Sequence, residues 1–299
     1  MKKAVLGVYQ SPDPHWVGDG FPVRSLFSYD RLGMQTSPFL LLDYAGPASF
    51  APAAEPRGVG EHPHRGFETV TIVYQGEVAH RDSSGNSGVI GPGDVQWMTA
   101  ASGVLHDEFH SPEFTKAGGA LEMVQLWVNL PAEHKMSRPR YQGILNGHIP
   151  EVALPGGAGS VRVIAGDYDG KKGPAATFTE LNVWDVRLLA GRQITLQVPA
   201  DHTAAIAVLH GAVAANGARA AKEAELVLFE RGGEEIAITA QADSTILFLN
   251  GAPIQEPIVG YGPFVMNSRQ EIEAAMQDFR LGKFGRLVVP NRSAEVALR

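Results

Sequence analysis

The stretch EHPHRGFETV (residues 61–70) sets His62 and His64 one residue apart, directly ahead of a run of β-branched and aromatic residues. In a strand, residues i and i+2 point to one face, so the two imidazoles project together, with Gly66 and Glu68 following in the same parity. The pair alone fits solvated side chains, core histidines or half of a metal site. The rest of the chain has to decide.

Outward from this stretch the pattern stays that of strands. Val70–Tyr74, Val95–Met98, Met123–Val128, Val161–Ile164, Val183–Leu189, Ala204–Leu209, Ala224–Phe229 and Thr245–Leu249 are short apolar runs. Between such runs lie turn signals: DSSGNSG (82–88), GPGD (91–94), ANGARA (215–220) and RGGEE (231–235). This spacing predicts an all-β sandwich or barrel. A helix is predicted over about residues 268–281. Ser268 and Glu271 form a capping box, Ile272, Ala275, Met276 and Phe279 share one stripe, and Gly282 ends it.

The 299 residues allow one large domain or two ordinary ones. The formal charge of −7 comes with no basic run or stripe, which argues against direct nucleic-acid binding. The absence of cysteine removes disulfides, thiolate metal sites and cysteine nucleophiles. The apolar run after Lys2 and Lys3 stops at Gln10 and Pro12, too short for a signal-peptide core. No window approaches eighteen apolar residues. These features predict a cytoplasmic protein without membrane contact.

A weak internal repeat is present. IVYQGEVA (72–79) and AVLHGAVA (207–214) share strand, glycine and strand at an offset of 135 residues. It predicts two copies of one β unit, residues 1–134 and 135–299, with the helix in the second. Pro131, Pro139 and a cluster of charges mark the joint.

The second half of the site comes some forty residues after the first. SGVLHDEFH (102–110) places His106 and Glu108 at the same i, i+2 spacing. Two such pairs on neighbouring strands can converge as three imidazoles and one carboxylate, a set that suits Fe(II), Mn(II), Ni(II), Co(II), Cu(II) or Zn(II). Glu68 competes with Glu108 for the carboxylate role, and His110 continues the parity of His106. His15, His80, His134, His148, His202 and His210 read as structural or solvated.

HPHRGFETVT, DSSGNSG, GDVQWMTAASGVLHDE, EPIVGYGPFVMNSRQEI and SPFLLLDYAGP (37–47) resemble the pirin family of the cupin superfamily, over essentially the whole chain. The resemblance implies a bicupin: two tandem jelly-roll-like cupin barrels with a C-terminal helix. It implies one metal in the N-terminal barrel, held by His62, His64, His106 and Glu108. Iron is the usual ion of the family, with zinc and other divalent ions known. It also implies either quercetin 2,3-dioxygenase activity on a planar aromatic flavonol or a regulatory role through a protein partner, in a monomeric protein. Glu108 would then be the catalytic base, and Phe67, Trp97 and Met98, near the ligands in sequence, would line the pocket. A cupin isomerase or small-acid binder is a third reading, with only Arg65 and Arg81 nearby to hold an anion.

Two departures from the general cupin pattern stand out. The carboxylate four residues after the first pair, Glu68, gives way to Glu108, and the usual P-x-G-x-x-H is replaced by Ala101-Ser102-Gly103-Val104-Leu105-His106. Asp107, between two ligands, should point away from the metal towards solvent or a basic partner. At the 135-residue offset His62 falls on Gln197 and His64 on Pro199, so the second copy is expected to carry no metal.

Overall fold

The computed structural model describes residues 1–287; the end of the second expected unit, 288–299, lies outside them. Each half of the chain forms a seven-stranded antiparallel sheet facing a four-stranded one. In the first barrel the large sheet runs Arg140–Ile144, Val95–Thr99, Phe67–Gln75, Gly119–Asn129, Phe39–Phe50, Phe21–Ser28, His15–Val17. The small sheet runs Gly58–His64, Val104–His110, Val78–Asp82, Ser87–Ile90. The second barrel repeats the arrangement, with Thr203–His210, Ser244–Gly251 and Leu181–Leu188 at the centre of its large sheet.

The two large sheets pack back to back. Val124, Leu126 and Val128 of Gly119–Asn129 join Ala205, Ala207, Leu209, Leu247 and Leu249 in one core between the barrels. The alternate residues Met123, Gln125 and Trp127 face the interior of the first barrel. A central strand covered on both faces needs apolar residues throughout, which is why VTIVY and AAIAVL read as continuous hydrophobic runs.

Strand pairing does not respect a cut between residues 134 and 135. Val5–Gln10 pairs with Glu225–Phe229 and so belongs to the second barrel. Arg140–Ile144 pairs with Val95–Thr99 and completes the first. The helix spans Arg269–Arg280, with the Ser268 hydroxyl accepting from the Glu271 amide. It docks on the first barrel rather than the second: Ile272 and Ala275 pack with Leu105, Phe264, Met266 and Phe284. Arg65 clamps it there, pairing with Asp278 at 2.9 Å and lying over the Phe284 ring.

Candidate metal centre

The strands Gly58–His64 and Val104–His110 pair antiparallel with His62 opposite His106 and Val104 opposite His64. Directly opposed residues share a face, so the alternation of HPH brings both its rings onto that of His106. Ring centroids are 4.2 Å apart for His62 and His106, and 4.9 Å for His64 and His106. One nitrogen of each of the three lies within 4.8 Å of the others.

Their orientation is set from outside. The His62 Nδ1 donates to the Gly60 carbonyl at 2.9 Å, and the His64 Nδ1 to the Pro263 carbonyl at 3.4 Å. A carbonyl only accepts, so both Nδ1 atoms carry a proton, which leaves Nε2 as the atom each ring offers to a metal. Pro263 lies in the turn of a hairpin formed by Val259–Tyr261 and Phe264–Met266, which the turn after His64 receives. Gly66 has φ +92°, and a Cβ there would sit 1.9 Å from the Val265 carbonyl oxygen. Only glycine suits that backbone and that approach.

His106 is fully buried, and its Nε2 has no hydrogen-bond partner. An unpartnered buried nitrogen is costly, and a cation beside two further free imidazole nitrogens relieves it. Burial, then the neighbouring histidines, hold the pKa of His64 and His106 well below the usual histidine value. The rings are therefore neutral, the form that ligates metals. These residues fit a metal, and the cluster is able to hold one.

Glu108 stands one step along the same strand, past an irregularity in register. It groups with His80 and His106, not with His62 and His64, in a second buried set within 4.8 Å. Two amides donate to its carboxylate: Gln96 Nε2 to Oε1 at 3.2 Å and Gln125 Nε2 to Oε2 at 3.3 Å. The Thr71 hydroxyl donates to Gln125 Oε1 at 2.6 Å and so holds that amide in place.

His80, read from sequence as structural or solvated, is buried opposite Glu108. Its Nδ1 lies 3.4 Å from His106 Nδ1, its Nε2 3.4 Å from Asp82, and its ring stacks on Tyr141. The signal was available: His80 and Asp82 form a third i, i+2 pair.

Glu68 shares the back face of its strand with Val70, which stands opposite Trp97 of the next strand, away from the histidines. Thr99 donates to it at 2.7 Å, and burial raises its pKa to about 7. His110 donates to the Gly20 carbonyl at 2.9 Å among Phe21, Phe50 and Phe114. Asp107 points away from the cluster and pairs with Arg81.

A cavity of about 400 Å³ opens beside the site. His62, His64 and Glu108 line it, together with Val17, Phe21, Val59, Met123, Trp127 and Pro263. None of the three residues expected on its wall is there. Trp97 faces the core between the barrels, Met98 packs with Ala100 and Val104, and Phe67 lies against Trp127 at 4.3 Å. Nearness in sequence misled because the wall comes from strands far along the chain.

Two back-to-back β-barrels, the first holding a histidine–glutamate cluster inside, define a bicupin. Residues 20–128 match the Pirin family model, and residues 183–285 match that of the Pirin C-terminal cupin domain. The chain belongs to the pirin family. It is 59% identical over 282 residues to the Pseudomonas aeruginosa protein "Putative quercetin 2,3-dioxygenase", covering 94% of this chain and 98% of that one. A pirin-like protein of Solanum lycopersicum is 38% identical over 90% of this chain and 88% of its own. The crystal structure of a quercetin 2,3-dioxygenase from Acinetobacter baumannii superposes with a TM-score of 0.94 at 56% identity, covering 96% of this chain and all of that one. Among the described residues no helix is long and apolar enough to cross a membrane.

Proposed function

We propose that the chain is a metal-dependent dioxygenase that opens quercetin-type flavonols. The observation that carries this reading is the placement of three imidazole nitrogens beside a largely apolar cavity of about 400 Å³. The similarity to quercetin 2,3-dioxygenases supports it. His62, His64, His106 and Glu108 would hold one divalent ion, Fe(II) before Zn, Mn, Ni, Co or Cu. When bound, that ion supplies a coordination position for substrate oxygen and the electron transfer that dioxygen chemistry needs.

The chain's own residues do the rest. Trp127 and Phe21 offer aromatic faces to a planar ring system, while Val17, Val59 and Met123 keep water from it. The Gly60 and Pro263 carbonyls hold His62 and His64 in their ligating orientation. Glu108, fixed by Gln96 and Gln125, is the carboxylate within reach of the flavonol 3-hydroxyl and accepts its proton.

The test is metal analysis of protein purified without chelator, with oxygen consumption on quercetin recorded on the same samples. About one ion per chain and oxygen uptake, both lost in His62→Ala/His64→Ala, are expected. Metal without uptake across a flavonol panel would move the assignment to a regulatory metalloprotein acting through a protein partner. No metal even after reconstitution with Fe(II) would overturn both.

A further inference from the structure

The metal cluster sits at one end of a polar row that crosses the large sheet of the first barrel. Gln96, Thr71, Gln125, Asp43 and Ser25 stand on five adjacent strands, each directly opposite the next. Opposed residues share a face, so all five point into the barrel. The first three are accounted for, because Gln96 and Gln125 donate to Glu108 and Thr71 donates to Gln125. The far end is not. Asp43 is buried on the cavity wall, and Ser25 Oγ donates to its Oδ1 at 2.5 Å. Among the described residues no other hydrogen bond and no ion pair reaches it. Its Oδ2 has no protein partner and is not sealed from the cavity, so it is placed to take a donor from whatever enters.

We infer that Asp43 is the second substrate-reading group of this pocket, its free Oδ2 accepting a hydrogen bond from a hydroxyl of a polyphenolic substrate whose chelating oxygens face the histidines. The inference rests on the flavonol reading above and adds the group that decides which phenols bind. Geometry sets the span. Asp43 lies one strand, about 4.8 Å, from Gln125, whose amide touches Glu108 at 3.3 Å. The two carboxylates thus bracket a distance of roughly 5–10 Å, about that of one or two fused aromatic rings. Burial raises the Asp43 pKa, with the Ser25 hydrogen bond and nearby His15 opposing. Ser25 acts through Asp43, fixing its orientation.

The experiment is anaerobic titration of the metal-loaded protein with quercetin and with 3-hydroxyflavone, which keeps the chelating pair and lacks the other hydroxyls. Ligand binding is read by quenching of tryptophan fluorescence. Asp43→Leu should weaken quercetin about 10- to 100-fold, as expected for a lost hydrogen bond to a charged group. It should leave 3-hydroxyflavone within about threefold on the same scale, with metal content at the wild-type level. Asp43→Asn, which keeps volume and one acceptor, should shift the ratio of the two affinities in the same direction by a smaller factor. It carries the test if the leucine variant fails to fold. Equal weakening of both ligands, no weakening of either, or a wild type that binds neither would overturn the inference. Oxygen uptake by the wild type in air is scored separately. A wild type that binds quercetin through Asp43 without consuming oxygen would sink the dioxygenase reading and leave this one standing.

Discussion

The two barrels are built on the same strand plan and differ in what fills them. Across the large sheet of the first runs Gln96–Thr71–Gln125–Asp43–Ser25. Across the same place in the second runs Val227–Ile206–Phe248–Trp184–Val163. Thr71 and Ile206 are related by the 135-residue offset of the sequence repeat. The facing small sheet carries histidines in the first barrel and Ile194, Leu196, Ile236 and Ile238 in the second. There Trp184 stacks on Phe248 with centroids 5.1 Å apart, occupying the volume that the first barrel leaves as a cavity. The scaffold is neutral as to chemistry. A handful of inward positions decides whether it is a core or a site.

The comparison can be broken most sharply at the paired histidines. His62→Ala/His64→Ala should abolish metal uptake and lower oxygen consumption on quercetin by more than about 100-fold. Ile194→Ala/Leu196→Ala, the inward pair of the second barrel, should leave the metal content of folded protein unchanged. Metal loss in the second variant would show that the barrels are not chemically separate. Next in size, Trp184→Ala should cost about 3–5 kcal/mol in urea unfolding, as a large core truncation does. Trp127→Ala, on a cavity wall already half open, should cost less and instead weaken flavonol binding.

Gln125→Leu makes one position of the polar row resemble its apolar counterpart. It removes a donor to Glu108, and loss of such an outer partner should reduce metal affinity about 10- to 100-fold. Competition with a chelator would read this, and an unchanged affinity would mean that the row does not hold the carboxylate. The smallest effect is graded with pH. His64 and His106 are held neutral in the folded chain and titrate normally, near 6.5, when unfolded. Below that pH the unfolded state binds more protons, so metal-free stability falls on acidification, by up to about 1.4 kcal/mol per pH unit per histidine. Urea midpoints between pH 7.5 and 5.5 should show this slope. It should shrink in His64→Gln, and equal slopes for the two proteins would count against burial as its cause.

What was legible in the sequence was whatever obeys a local period. The i, i+2 spacing of His62, His64, His106 and Glu108, the double-sided strands and the capped helix are patterns within ten residues. What was not legible depends on register between distant strands. His80 gains its place only because Val78–Asp82 lies against Val104–His110. Trp127 and Asp43 reach the cavity by alternation along strands that sequence alone cannot phase. The orientation of His64 depends on Pro263, some two hundred residues away. A charged residue in the middle of FLLLDYAG was itself a clue to Asp43, since an aspartate in an apolar strand must be answered by something.

The exchange of edge strands between the halves bears on how the chain is made. Val5–Gln10 is synthesised more than two hundred residues before its partner Glu225–Phe229. This strand therefore waits unpaired while the metal-binding barrel assembles, and the entropy of closing so long a loop falls on a late stage of folding. Until that strand docks, Glu225–Phe229 is the open edge of the sheet, and strand edges are the feature of β-proteins most prone to pair with a neighbour. Completion of the second sheet thus depends on a strand made long before its partner.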